Sequence, residues 1–241
     1  MLRDEYFRRL VEGAHVELYL SAVDGARLYW PWRMQPPKEA SERYRNACER
    51  YIIDSDPLDD SVTTKDVLDC AHRLDAEVAS LQDVYHDKDT TVDSLLEGLR
   101  IADDHAFDGD LLVPLQAPYV ECWKGIGEPT DHLLGIGGLK DGRPAERRRA
   151  AEELRDAVGP DVWLHGFGWG PTGIADAIRE QPDLLDSLDY STPMQNAAHN
   201  DATAGAEVMS VAAMDAARTL IRDLRELSTF PTDTTTTQIT L

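Results

Sequence analysis

The sequence predicts an α/β protein, a compact (β/α)8 TIM barrel folded as one domain over residues 1–228. Three observations predict it. Strand-like and helix-like patterns alternate some eight times along the chain, at a spacing typical of βα units, which argues a parallel sheet. A length of 241 residues suits eight such units with few insertions. No linker of domain-boundary composition and no internal repeat divides the chain. Residues 229–241 are Thr-rich and read as a disordered tail.

The elements follow in order. Leu2–Glu12 carries Leu2, Tyr6 and Leu10 at helical spacing. Val16–Val23 alternates as a strand and ends at the Asp24-Gly25 turn. Leu28–Pro37 reads as a loop rich in Trp and Pro, and Lys38–Arg50 as a helix. Tyr51–Ser55 is a short apolar strand that runs into Asp54. Thr64–Leu74 is helical, with Thr63 or Thr64 as its cap before Asp66. Glu77–Leu81 leads as a strand to Gln82-Asp83, Thr91–His105 is a helix, and Leu111–Leu115 is a strand leading to Gln116. Leu133–Ile136 ends as a strand in Gly137-Gly138-Leu139. Pro144–Val158 opens on proline and closes on Gly159-Pro160, the punctuation of a helix. Val162–Leu164 opens into His165-Gly166-Phe167-Gly168, Ile174–Arg179 is helical, and Leu185–Asp189 is a strand. Val208–Val211 reads as a last strand and Ala212–Leu227 as the closing helix.

Composition narrows the setting. There are 45 acidic against 24 basic residues, a formal net charge of −21. Lysine is confined to Lys38, Lys65, Lys88, Lys124 and Lys140, and the acids are spread over the whole chain. Such a surface suits a salt-rich cytoplasm, where salt screens self-repulsion and carboxylates hold water. A halophilic protein can still bind nucleic acid, because at molar salt the screening length is only ~3 Å. No apolar run has membrane-spanning length and the N-terminus shows no signal pattern, so the expectation is a soluble, cytoplasmic protein with no membrane partner. Cys48, Cys70 and Cys122 form no pair with metal or disulfide spacing.

In a parallel barrel the active site lies at the C-terminal strand ends. Those ends carry Asp54, Asp83, Gln116, Gly137-Gly138-Leu139, His165 and Asp189. A period of two places Asp186 on the opposite face of its strand from Asp189, which makes Asp186 structural. His165 reads equally as a substrate contact or as a satisfied core residue. Trp30, Trp32 and Arg33 suit base stacking or packing over a barrel end. Arg147, Arg148 and Arg149 suit a solvated helix face paired with Glu152 and Glu153.

Taken together, Ile53-Asp54-Ser55, Gln82-Asp83, Leu115-Gln116, Ile136-Gly137-Gly138-Leu139, His165-Gly166-Phe167-Gly168 and Asp186-Ser187-Leu188-Asp189-Tyr190-Ser191-Thr192-Pro193 resemble, in order, the motifs of the tRNA-guanine transglycosylases. They resemble most the DNA-modifying, often virus-encoded relatives of the DpdA type. The resemblance spans roughly residues 50 to 195. It implies that Asp189 is the nucleophile that forms a covalent glycosyl-enzyme and that Asp54 is the acid/base. It implies further that Asp83 and Gln116 bind the base edge, and that backbone at Gly137, Gly138 and Leu139 reads the base and its 7-substituent. The implied reaction exchanges guanine in nucleic acid for a 7-deazaguanine, without a redox or nucleotide cofactor. The chain departs from the family after Ser55, where Asp56-Pro57 stands in place of Gly-Gly-Phe-Gln, and after Pro193, where Met194-Gln195 stands in place of Thr-Arg. The family's zinc motif is absent, since no cysteine follows Cys122. These departures set DNA ahead of tRNA as the expected substrate, with a non-catalytic barrel that binds nucleic acid as the other alternative. On duplex DNA the target nucleotide would have to be flipped out.

Overall fold

The computed structural model describes residues 14–21, 29–56, 59, 61–191 and 208–227. The expected helix at Leu2–Glu12 and the tail at 229–241 lie outside these residues. Eight parallel strands close into one barrel in sequence order. They are β1 (Glu17–Leu20), β2 (Trp32–Gln35), β3 (Arg50–Ile53), β4 (Val78–Ser80), β5 (Asp110–Leu115), β6 (Leu133–Ile136), β7 (Leu164–Gly166) and β8 (Ser187–Tyr190). The intervening helices are α1 (Glu42–Arg45), α2 (Thr64–Leu74), α3 (Lys88–Asp103), α4 (Tyr119–Gly125), α5 (Pro144–Val158) and α6 (Ala175–Glu180), and α7 (Val208–Leu227) follows β8. The predicted (β/α)8 barrel is therefore the fold.

Local chemistry explains the helix starts. Thr63 and Asp66 form a reciprocal capping box at α2. The Asp87 side chain accepts the Thr90 N–H, so α3 starts three residues earlier than its threonines suggest. Three readings are corrected. The Trp- and Pro-rich loop holds β2, which pairs with β3 from Trp32 opposite Arg50 to Gln35 opposite Ile53. The strand expected at Val208–Val211 is the first turn of α7. The long helix expected over Lys38–Arg50 shrinks to the single turn α1.

Register shows which side chains enter the barrel. Leu188 and Tyr190 of β8 pack outward, and the Tyr190 hydroxyl donates to Asp223 of α7 at 2.6 Å. Alternation then turns Ser187 and Asp189 toward the axis. Ser187 pairs with Glu17 on β1 and His165 on β7, and His165 pairs with Gly135 on β6. Gly135 has no side chain because the Phe167 ring occupies that space, 2.1 Å from where a Cβ would stand. Asp186 faces outward, as its period predicts, and binds Arg155 of α5 and the Leu164 N–H.

The Trp pair is packing, at the end of the barrel away from the strand C-termini. Trp30 is fully buried and donates to the Leu18 carbonyl at 2.7 Å. Trp32 meets it edge-on at the start of β2. Arg33 is buried on the outer face of β2, over the Tyr44 ring. None of the three is placed to stack on a base at the strand C-termini. Arg147 also departs from its solvated reading. It is buried, and its guanidinium donates to the carbonyls of Leu139, Lys140, Trp169 and Thr172. Arg148 does pair with Glu152, at 2.7 Å.

Candidate active site

The C-terminal strand ends bring two groups of side chains to one mouth. The first group surrounds Asp189. Its Oδ2 accepts the Ser21 hydroxyl at 2.7 Å. Its Oδ1 accepts the Gly168 N–H and lies 3.2 Å from His165 Nε2. Gly168 has φ +66, a left-handed backbone that glycine adopts without strain and that turns its N–H onto the carboxylate.

Asp54 stands one residue past β3, with its N–H on the Gln35 carbonyl. Burial pushes its carboxyl up, and the negative charges of Asp189, Asp83 and Asp56 push it further, to about 8, against the hydrogen bond from the Ser55 backbone. Asp189 is also pushed up by burial. Its hydrogen bond and charge interaction with His165, the Gly168 N–H and the Ser21 hydroxyl outweigh that, and hold it below the ordinary carboxylate range. The two environments thus push in opposite directions, toward the ionised form at Asp189 and toward the protonated form at Asp54.

The second group is a polar cradle. Gln116 Nε2 donates to Asp83 Oδ2, and Gln116 Oε1 accepts the His86 N–H at 3.2 Å. Gly137 donates to the Leu115 carbonyl and accepts the Tyr119 hydroxyl at 2.9 Å. A Cβ on Gly137 would stand 2.5 Å from Gln116 Nε2, and one on Gly138 2.6 Å from Gln116 Oε1. Both glycines are needed for the Gln116 amide to lie against the backbone. Asp83 is buried, and burial pushes it to about 6, against the Gln116 hydrogen bond. Beside the cradle, Tyr85 is 38% exposed and meets the His86 ring at a tilt of 52°, with ring centroids 3.9 Å apart. His86 is left-handed at φ +61, a backbone state that costs a non-glycine residue about 1–2 kcal/mol.

The structure therefore brings Asp54 and Asp189 into electrostatic contact and joins Asp83, Gln116, Gly137 and Gly138 through Gln116. Two expected site residues are placed differently. The Leu139 carbonyl is committed to Arg147 Nε and the Gly142 N–H. His165 is fully buried beneath Asp189, so it meets the carboxylate and not the mouth. Sequence reasoning marks the turn that holds Gly168 but not its contact with Asp189, and misses Ser21, Ser187, Tyr119 and the Tyr85-His86 pair. Ser187 was legible as the residue two before Asp189 on one strand face. The others lie in loops or helices whose contacts no short-range pattern reveals.

No family model and no curated protein matches the chain. Among solved structures it is similar to the YdjI aldolase from Escherichia coli K12. The TM-score is 0.61 at 10% identity, over 92% of this chain and 95% of that one. That likeness concerns the barrel alone. Among the described residues no cluster of three or more His, Cys, Asp and Glu side chains could hold a metal ion. None of the described helices is long and apolar enough to cross a membrane.

Proposed function

We propose that this barrel is a base-exchanging transglycosylase that replaces guanine in DNA with a 7-deazaguanine through a covalent Asp189 glycosyl intermediate. The observation that carries this reading is the pairing of two carboxylates at one mouth, Asp189 held by the Ser21 hydroxyl, the Gly168 N–H and His165, and Asp54 part-buried beside it with no such set of donors among the described residues. Displacement at an anomeric carbon passes through an oxocarbenium-like state. It needs an ionised carboxylate on one side and a proton donor for the leaving group. Asp189 supplies the first and Asp54 the second. Once its proton has left with guanine, Asp54 is the base that takes a proton from the incoming heterocycle.

The cradle suits a flat base. Asp83 Oδ1 accepts from ring or exocyclic N–H groups, and the second Gln116 Nε2 proton meets a carbonyl oxygen. Gly137 and Gly138 allow close approach of the backbone. The exposed Tyr85 face is placed to stack on a heterocycle, a role left open by the departure after Ser55. The motif order along the strand ends supports the transglycosylase assignment.

The test supplies guanine-containing DNA and, separately, tRNA with a labelled 7-deazaguanine in molar salt. Label in DNA that is lost in Asp189→Ala supports the proposal. Label in tRNA alone moves the substrate to RNA. Guanine release without incorporation makes the enzyme a glycoside hydrolase, and neither release nor incorporation refutes the reading.

A further inference from the structure

The interior of the barrel below Asp189 carries one step more, which rests on the reading of Asp189 as nucleophile. The His165 ring is fully buried. Its Nδ1 lies 2.7 Å from Ser187 Oγ and its Nε2 3.2 Å from Asp189 Oδ1. Trp163 stacks on it at 5.8 Å with the planes 9° apart, and the edges of Tyr19 and Phe167 close the other sides at 6.0 and 4.7 Å. A ring so enclosed has one orientation. An ionised carboxylate only accepts, so Nε2 bears the proton facing Asp189. The Ser187 hydroxyl serves either state of the ring, donating to a bare Nδ1 or accepting from Nδ1–H.

The donors around Asp189 are unevenly shared. Oδ1 takes both His165 Nε2–H and the Gly168 N–H, which fill its two lone-pair directions. Oδ2 takes the Ser21 hydroxyl and, among the described residues, no second donor. We propose that His165, set by Ser187, is a positioning residue that makes Oδ2 the attacking atom of Asp189 and keeps Oδ1 as the held oxygen.

The step balances as follows. An Oδ2 lone pair bonds to the anomeric carbon while the N-glycosidic bond breaks. The pair from that bond leaves with the base, which takes the Asp54 proton. Asp189 is then an ester with Oδ1 as its carbonyl oxygen. When the incoming base gives a proton to Asp54 and attacks the same carbon, the C–Oδ2 bond breaks and the pair returns to the carboxylate. Nε2–H and the Gly168 N–H are already in place for the returning charge. His165 thereby serves both half-reactions without touching substrate.

Several other ionisable groups act on this assembly. Asp54 faces it from the mouth, with Asp83 acting on Asp54 in turn. Tyr19 faces it from β1, with its hydroxyl on Glu17 at 2.7 Å. Arg50 of β3 binds Glu17 at 3.2 Å. They are common to every variant below.

The experiment has two arms on the full chain, with His165→Phe, His165→Gln and Ser187→Ala, each checked for fold by circular dichroism. The first follows the Asp189 carboxyl by carbon NMR of Asp-labelled protein without substrate. His165→Phe should raise its titration midpoint by about one pH unit or more. His165→Gln keeps an N–H donor and should stay near wild type, and Ser187→Ala should fall between. The second measures base exchange. His165→Phe should lose ~10²-fold in kcat, the scale of one lost oxyanion donor, with KM unchanged and with recovery in His165→Gln. An unmoved midpoint in His165→Phe, or equal behaviour of the Phe and Gln variants, overturns the inference. If His165→Phe does not fold, an unmoved midpoint in Ser187→Ala overturns it equally. A moved midpoint in a protein that exchanges no base keeps the positioning role and sinks the transglycosylase reading.

Discussion

Asp54→Asn should make the protein more stable, and more so as pH rises. The native Asp54 carboxyl holds its proton to about 8, against an ordinary 3.8. Between those values the unfolded chain has ionised this group and the native protein has not. The unfolded state then binds fewer protons, so wild-type stability falls as pH rises through that window. Below it both states are protonated and the site contributes no pH dependence; above it the loss is complete. At ~1.4 kcal/mol per pH unit the full shift sets a ceiling of about 6 kcal/mol. Asp54 is part-exposed, and solvent at the mouth reduces the figure to about 2–3 kcal/mol. Asn has nearly the same shape and never ionises. Its advantage over wild type should therefore be near zero at about pH 4, climb steadily, and level off above about pH 8. Urea denaturation followed by tryptophan fluorescence across that range reads the difference directly. An advantage that is flat with pH, or that shrinks as pH rises, would refute the burial and like-charge account of Asp54, and with it the assignment of Asp54 as the proton donor.

Two further outcomes follow from the cradle. Gly138→Ala places a methyl 2.6 Å from Gln116 Oε1 at φ +76, so it should lower stability by about 1–2 kcal/mol and displace the amide. Thermal melting reads the first effect, and a rise in KM for the base with little change in Asp189 labelling reads the second. Tyr85→Ala removes the exposed stacking face and should raise KM for the base by ~5- to 150-fold, the equivalent of about 1–3 kcal/mol of stacking, with melting unchanged because Tyr85 is exposed.

The barrel was legible because its outer-face apolar residues recur on short strands with helices between them. The number of strands came out right through two errors that cancelled. In sequence β2 has the look of a loop because Pro31, Pro36 and Pro37 bracket it and because its outward face is polar. Arg33 and Gln35 are buried there, with Gln35 accepting the Tyr51 hydroxyl at 2.7 Å. Val208–Val211 suits a strand as well as a helix turn, because four residues cannot separate a period of 2 from one of 3.6. Within the site, the carboxylates and glycines at strand ends were visible because chain order places them there. What supports them was not. Ser21, His165 and Ser187 meet Asp189 only after β1, β7 and β8 come side by side, and that adjacency is a property of closure. A buried polar residue inside a barrel also looks like surface to any reading based on polarity.

Arg147 has a consequence for the way this protein could change. Its guanidinium grips the Leu139-Lys140 carbonyls of the loop after β6 and the Trp169 and Thr172 carbonyls of the loop after β7. One loop begins with the glycines of the cradle and the other contains Gly168, which holds the carboxylate. A single side chain rooted in α5 therefore sets the spacing between the half of the mouth that would choose the base and the half that would handle the sugar. Lengthening one loop alone would strand buried carbonyls and shift the other. New specificities should arise by exchange of both loops with the arginine as one inherited cassette, while the loop after β4, which the clamp does not touch, varies independently.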